Sequence, residues 1–211
     1  MILQINPTTF LSAVARRALI GPVRGAASEG IQFLLRRLQS DERVPHLEWA
    51  AYILATVKHE TAHTYAPIAE QARKGDPNFT CYDPGRHPLA AAMGNTQLGD
   101  GKRYRGRGYV QLTWKNNYAK QGARLGVDLV AQPERACEPE IAYDILVDGM
   151  VAGRFTGAKL GLFVLPGAAH YEEARRVVNG RDKAKPIAEY ARAFEAALRD
   201  AVVPVPESIV Q

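Results

Sequence analysis

The chain has 211 residues, the size of one domain or of one domain with a small lobe, and 46% hydrophobic content is enough to bury a core. Lys and Arg outnumber Asp and Glu by 27 to 22, a formal +5 that favours polyanionic partners such as cell-wall polymers, anionic membranes or nucleic acid and selects none of them. Two cysteines, Cys81 and Cys137, are too few for a disulfide scaffold and lack the spacing of a zinc ribbon or redox motif, and no apolar run approaches the roughly eighteen residues of a membrane span.

Taken in chain order, Phe10, Val14 and Leu19, then Ile31, Leu34, Leu35 and Leu38, repeat at helical spacing and predict two amphipathic helices broken around Gly21-Pro22. Arg16 and Arg17 interrupt the apolar stretch that begins at Phe10, so it does not read as an export signal. A stronger helix is predicted from about His46 to Tyr65, with Trp49, Tyr52, Ile53, Thr56 and Val57 on one face, before Pro67 removes a backbone donor. Residues 73–101 are crowded with Gly, Pro, Asp and Asn and predict a long irregular surface excursion of the kind that binds ligands. Lys102 to Trp114 reads as a short extended pair around Arg105-Gly106-Arg107-Gly108. Within it, alternation places Tyr109, Gln111 and Thr113 on one face and Val110, Leu112 and Trp114 on the other, towards the core. Further helices are predicted at 116–125 with Gly126 as the stop, at 139–152, at 170–178, and at 183–200, where Ile187, Tyr190, Phe194 and Leu198 form a stripe. The tail after Val202, with two prolines, is predicted to be extended.

The most conspicuous string is His59-Glu60-Thr61-Ala62-His63, two histidines one helical turn apart with a glutamate between them. On a helix both imidazoles can face one zinc ion while Glu60 activates its water, which defines a zinc peptidase reading. Its difficulty is the third ligand, because neither His87 nor Glu70 lies in a recognisable third-ligand motif. A second reading pairs Glu60 with Glu70. Metal-free glycoside hydrolysis needs one carboxylic acid to protonate the leaving oxygen and one carboxylate to activate water, about 6.5–9.5 Å apart in inverting enzymes. Ten residues of unbroken helix rise about 15 Å, so the pair requires the chain to fold back after Pro67.

Three strings extend beyond these positions. They are His59-Glu60-Thr61 at the end of an apolar helix, Tyr104-Arg105-Gly106-Arg107-Gly108-Tyr109-Val110-Gln111-Leu112-Thr113-Trp114 leading into Asn117-Tyr118, and Val177-Val178-Asn179-Gly180 ahead of the last long helix. From about Trp49 to Phe194 the chain resembles the family 19 glycoside hydrolases, which include plant-type chitinases and phage endolysins. In that resemblance Glu60 corresponds to the general acid. Glu70 is similar to the second carboxylate of the short endolysin-like members, which follows the first by a comparable interval; the plant enzymes place theirs further on, in a segment not matched here. Thr113 corresponds to the hydroxyl that orients water and Asn117 to an amide four residues on, while Gln111 and Asn179 correspond to sugar-binding residues. Tyr109 and His59 join the substrate-binding set.

Each of these residues also has a plain structural explanation. Asn117 suits the first turn of a helix, Asn179-Gly180 a helix C-cap, Thr113 a strand, and His59 a packed helix position. Arg103, Arg105 and Arg107, interleaved with Tyr104 and Tyr109, have the composition of a nucleic-acid surface; the hydrolase reading makes them hold the loop and pair with a catalytic carboxylate.

The resemblance implies an all-α, mainly helical fold with a short β-hairpin, lysozyme-like and two-lobed. It implies one catalytic domain over 1–211, with N-terminal helices to about 45 and the catalytic core over 46–200. The implied activity is hydrolysis of β-1,4 bonds in peptidoglycan by an endolysin, or in chitin by a chitinase. Neither metal nor other cofactor is called for, nor a nucleic-acid partner or stable membrane insertion. The expected state is a monomer, made in the bacterial cytoplasm and delivered to the wall by a holin-like partner.

Overall fold

The structure is a computed structural model, and residues 4–203 are described. Its helices in chain order are α1 (Pro7–Ala15), α2 (Ala26–Ser40), α3 (Leu47–Glu60), α4 (Asp100–Arg103), α5 (Lys115–Leu125), α6 (Pro139–Val151), α7 (Arg176–Asn179) and α8 (Ala184–Ala201). Four two-residue strands, β1 (Ile68–Ala69), β2 (Arg107–Gly108), β3 (Val164–Leu165) and β4 (Ala168–Ala169), complete a mainly helical fold. The chain divides into two compact units, Met1–Tyr65 with Leu146–Gln211 and Ala66–Ile145. The prolines of the tail lie outside the described residues.

In the first unit α3 is the centre. Every residue from Leu47 to Lys58 except Trp49 is buried, so the helix is enclosed on nearly all sides rather than on one stripe. Its principal partner is α8, which turns Ile187, Ala188, Ala191, Phe194, Ala197, Leu198 and Ala201 inward. The four alanines let the axes approach, and each large side chain removed from water contributes about 1.5–3 kcal/mol. Phe194 stacks at 6.5 Å on Phe10 of α1 and meets the edge of Tyr65 at 6.4 Å. Asn6 caps α1 by accepting the Thr9 N–H, with Pro7 in the first helical position. The α2 stripe Ile31, Leu34, Leu35 and Leu38 is buried as its spacing predicts, whereas Leu19 is exposed, because α1 has already ended at Ala15.

The helix α3 ends at Glu60, five residues before the predicted end and seven before Pro67. The hydroxyl of Thr61 donates to the Val57 carbonyl and accepts from the Tyr65 N–H. Ala62, His63 and Tyr65 all take positive φ, which no continuing helix permits. The His63 N–H reaches back to the Lys58 carbonyl at 2.9 Å. A local left-handed turn, not the proline, is the stop.

In the second unit β1 and β2 pair antiparallel, Ile68 opposite Gly108 and Ala69 opposite Arg107. The hairpin predicted within Lys102–Trp114 is therefore replaced: β2 finds its partner in β1, and within the segment only a bridge between Arg107 and Leu112 forms. Gln111 and Trp114 have positive φ, which breaks the predicted alternation. Tyr109 and Leu112 are buried, while Val110, Gln111, Thr113 and Trp114 are half-buried.

The excursion over 73–101 is irregular as predicted, yet it is tightly organised. Asp76 accepts the N–H groups of Thr80 and Cys81, Asp83 those of Gly99 and Gly101, and Asp100 those of Thr96 and Gln97. Carboxylates thus satisfy backbone donors that a helix or sheet would otherwise satisfy. Gly101 is required by closeness, since a Cβ there meets the Phe79 carbonyl at 2.3 Å. Among the described residues no helix is long and apolar enough to cross a membrane.

Candidate active site

In the first unit, α3 presents Glu60 as its last residue. Glu60 Oε1 accepts from Arg175 Nη1 at 2.7 Å; the arginine side chain is 2% exposed and the glutamate side chain 18%. Arg175 sits on a 3-10 turn, Glu173–Arg175, and its Nε donates to the Asp182 carbonyl at 2.8 Å. Two donors of one planar fork are thereby engaged, and the Nη1 donor sets the direction of the Glu60 carboxyl. His59 is half-buried beside it, and burial lowers its pKa against the opposing pull of Glu60. One and two turns back along α3, Thr56 and Tyr52 present fully buried hydroxyls with no protein partner. Tyr52 stacks on Tyr171 at 5.8 Å, and burial pushes its hydroxyl far above the usual phenol range.

The turn after Glu60 separates the two histidines of the zinc-like string. His59 lies on α3; His63 lies beyond it at φ 70°, exposed, its ring edge-on to Tyr190 at 6.2 Å. The shared helical face that the peptidase pattern requires is not formed. Among the described residues no group of three or more His, Cys, Asp and Glu side chains gathers as metal ligands do. Asn179 closes α7 with Gly180 following at φ 51°, so the C-cap predicted there forms, and the asparagine is exposed.

In the second unit Glu70 follows β1 directly. Its N–H donates to the Gly106 carbonyl at 2.8 Å, and its Oε2 accepts the Gly106 N–H at 3.2 Å, so backbone and side chain are tied to the same glycine. Oε1 accepts from the Tyr82 hydroxyl at 3.1 Å, with Arg73 at 3.8 Å. A Cβ on Gly106 meets Gln111 Oε1 at 2.7 Å and Glu70 Oε2 at 3.3 Å, so Glu70 and Gln111 converge on a position that only glycine leaves open. Gln111 Nε2 donates to the Ile68 carbonyl at 3.2 Å. Thr113 Oγ1 donates to the Gln111 carbonyl, and Asn117 Nδ2 to the Thr113 carbonyl, each at 2.8 Å. Asn117 lies in the first turn of α5, where its N–H also bonds the Trp114 carbonyl. Four of the predicted residues, Glu70, Gln111, Thr113 and Asn117, are therefore brought together along one run of the unit.

Two predictions fail here. Tyr109 is 1% exposed beside Glu140 and is a core residue rather than a substrate contact; the strand alternation that turned it outward does not exist. The arginines expected to hold the loop and to pair with a catalytic carboxylate do the first and not the second. Arg103 donates to the Val130 and Ala131 carbonyls, Arg105 to Lys102, and Arg107 to the Arg103 carbonyl and the Tyr118 hydroxyl. Arg73 lies 3.8 Å from Glu70 with its own side chain exposed; the arginine buried against a candidate carboxylate is Arg175, which sequence reasoning missed. Nothing local separates it from Arg176, whose guanidinium sits at the surface with Glu173 at 2.9 Å. Tyr82 and Asn95 were likewise missed, since no motif marks them.

With this geometry in hand, comparison with known proteins gives a consistent answer. The fold is similar to chitinase C from Streptomyces griseus HUT6037, at TM-score 0.59 and 20% identity over 95% of each chain. It is also similar to a class IV family 19 chitinase from Zea mays, at TM-score 0.52 and 18% identity over 95% of this chain and 94% of that one. The family model described as chitinase class I, glycoside hydrolase family 19, matches residues 36–149, more than half of the chain. The chain belongs to glycoside hydrolase family 19. Curated relatives include endochitinase 1 of Theobroma cacao, 34% identical over 101 residues, which are 42% of this chain and 32% of the relative. Endochitinase A2 of Pisum sativum is 31% identical over 114 residues, 50% and 32% respectively. The chain thus spans about a third of the length of the curated relatives it matches.

Proposed function

We propose that this protein is a peptidoglycan-cleaving glycosidase of the endolysin type, hydrolysing the β-1,4 bond between N-acetylmuramic acid and N-acetylglucosamine with inversion. Glu60 acts as the acid that protonates the departing glycosidic oxygen. Glu70 acts as the base that takes a proton from water as the water attacks the anomeric carbon, with Thr113 and Asn117 orienting that water. The C–O bond breaks as the new one forms on the opposite face, and the second proton of the water remains on the product hydroxyl. Gln111, His59 and Asn179 serve as sugar contacts. The chemistry calls for no metal or other cofactor.

The observation that carries this reading is the state of Glu70. A carboxylate that accepts one hydrogen bond on each oxygen, from the Tyr82 hydroxyl and the Gly106 N–H, keeps one lone pair per oxygen for a proton from water. The choice of peptidoglycan rests on two features. The interval of ten residues from Glu60 to Glu70 resembles the short endolysin-like members, and the formal +5 suits an anionic cell wall. Synthesis in the cytoplasm and release to the wall by a holin-like partner belong to the same reading, as does action as a monomer. A second reading, cleavage of chitin, is favoured by the names of the matched relatives, which are endochitinases.

Two measurements test the proposal together. Proton NMR of the first-formed reducing end is expected to show the α-anomer; a β-anomer means retention, and the single-displacement scheme is wrong. Turnover of purified peptidoglycan faster than of a soluble N-acetylglucosamine hexamer supports the endolysin reading, and the reverse order selects the chitinase.

A further inference from the structure

We propose that Tyr82 is the positioning residue for Glu70: its hydroxyl sets the orientation of the carboxylate that activates water, and the 73–101 excursion is the frame that holds the tyrosine. The inference rests on the reading of Glu70 as base and adds to it a residue outside every motif of the chain.

Three sets of contacts carry it, all within the second unit. First, Tyr82 Oη donates to Glu70 Oε1 at 3.1 Å, while Oε2 is taken by the Gly106 N–H at 3.2 Å. The carboxyl group is thus held at both ends, by a side chain from the excursion and by the backbone beside β2. With the tyrosine donor removed, the carboxyl is held by the Gly106 N–H alone, and the last side-chain torsion, which is intrinsically broad, swings about that single contact. Second, the tyrosine itself is fixed. Its ring meets Trp114 edge-on at 5.2 Å and His87 at 6.3 Å, and His87 and Trp114 meet at 4.9 Å. Trp114 is the residue between Thr113 and α5, so the residue whose ring braces Tyr82 is the chain neighbour of the one expected to orient water.

Third, Asn95 fastens the frame. It is fully buried; its Nδ2 donates to the Tyr82 carbonyl at 3.1 Å and its Oδ1 accepts the Lys115 N–H, in the first turn of α5, at 3.1 Å. The backbone of Tyr82 and the start of the helix bearing Asn117 are therefore one amide apart. Asp83, the next residue, is buried and accepts from Gly99 and Gly101, which prevents the excursion from sliding past that amide. Burial and the neighbouring Glu70 push the Tyr82 hydroxyl up to about 12, so it remains a donor throughout the working range of any glycosidase.

The test is a double-mutant cycle of Tyr82→Phe and Glu70→Gln, reading reducing ends from peptidoglycan and from an N-acetylglucosamine hexamer. Tyr82→Phe deletes only the hydroxyl and keeps the contacts with Trp114 and His87, so the fold is retained. The expected result is a loss of about tenfold in kcat with KM within about twofold, because orientation of the base matters at the reacting centre and not in sugar binding. In the Glu70→Gln background the same change is expected to cost nothing further, since the group it positions is already disabled. Losses that multiply in the double variant overturn the proposal, as does wild-type kcat in Tyr82→Phe when Glu70→Gln is inactive. Wild-type kcat in Glu70→Gln instead brings down the base reading itself, and the proposal with it.

Discussion

At the scale of single residues, the strongest constraint in the first unit is the contact between Glu60 and Arg175. A guanidinium buried this deeply that loses its carboxyl partner keeps only the Asp182 carbonyl, and most of its desolvation cost is then left without an offset. Replacing Arg175 by Ala is expected to destabilise the protein by about 3 kcal/mol and to reduce turnover sharply. Arg175→Lys is expected to restore little, because one ammonium does not reproduce bonds to both Glu60 and the Asp182 carbonyl. Urea titration with a parallel activity assay checks both; wild-type stability in Arg175→Ala removes the ion pair from the account.

Asp76 offers a test by pH. The Cys81 N–H, with help from Thr80, draws its pKa from 3.8 to about 2. A carboxyl held lower in the folded chain than in the unfolded one adds stability that is complete above the unfolded value and disappears as the pH falls through the folded one. The melting temperature of Asp76→Ala is therefore expected to lie below that of the wild type at pH 7, with the gap closing between about pH 4 and pH 2. A gap that does not change with pH contradicts the assignment.

These residues also mark what is legible in a sequence. Glu60, Gln111, Thr113 and Asn117 stand in local strings whose order can be read. Arg175 and Tyr82 gain their meaning from partners 115 and 12 residues away, which only folding supplies.

At the scale of elements, periodicity located the helices well where one stripe is buried and the opposite face is open, as in α2 and α8. It was less informative for α3, which is enclosed on nearly every side, and it misplaced the end of that helix. Pro67 is a visible stop, but Thr61 and the left-handed turn act first, and that turn is what keeps His59 and His63 from sharing a helical face. In the segment after Arg107, alternation failed because positive φ at Gln111 and Trp114 replaces a strand by a turn. Those strained positions flank Thr113, so the departure from regular structure falls where the proposed site residues cluster.

Packing of α2 gives a further prediction. A Cβ on Gly30 meets the Tyr65 carbonyl oxygen at 2.4 Å, and backbone cannot step aside cheaply. Gly30→Ala is therefore expected to destabilise by about 1–3 kcal/mol through overpacking, despite the better helix propensity of alanine. A thermal melt that rises instead shows that α2 shifts freely.

At the scale of the whole molecule, membership of glycoside hydrolase family 19 and a mainly helical fold agree with the resemblance read from three short strings. What the strings leave open is the polymer, since peptidoglycan and chitin share the bond and the N-acetyl sugar. Loops such as 73–101 are shaped by buried carboxylates and close glycines rather than by any periodic pattern.

The central claim is that Glu60 is the acid of a metal-independent glycosidase. It is tested most directly by release of reducing ends from purified peptidoglycan in the presence of EDTA, with wild-type protein and Glu60→Gln side by side. The account predicts turnover by the wild type that is indifferent to EDTA, and a fall of at least about a hundredfold in the variant. Turnover abolished by EDTA, or retained by Glu60→Gln, contradicts it.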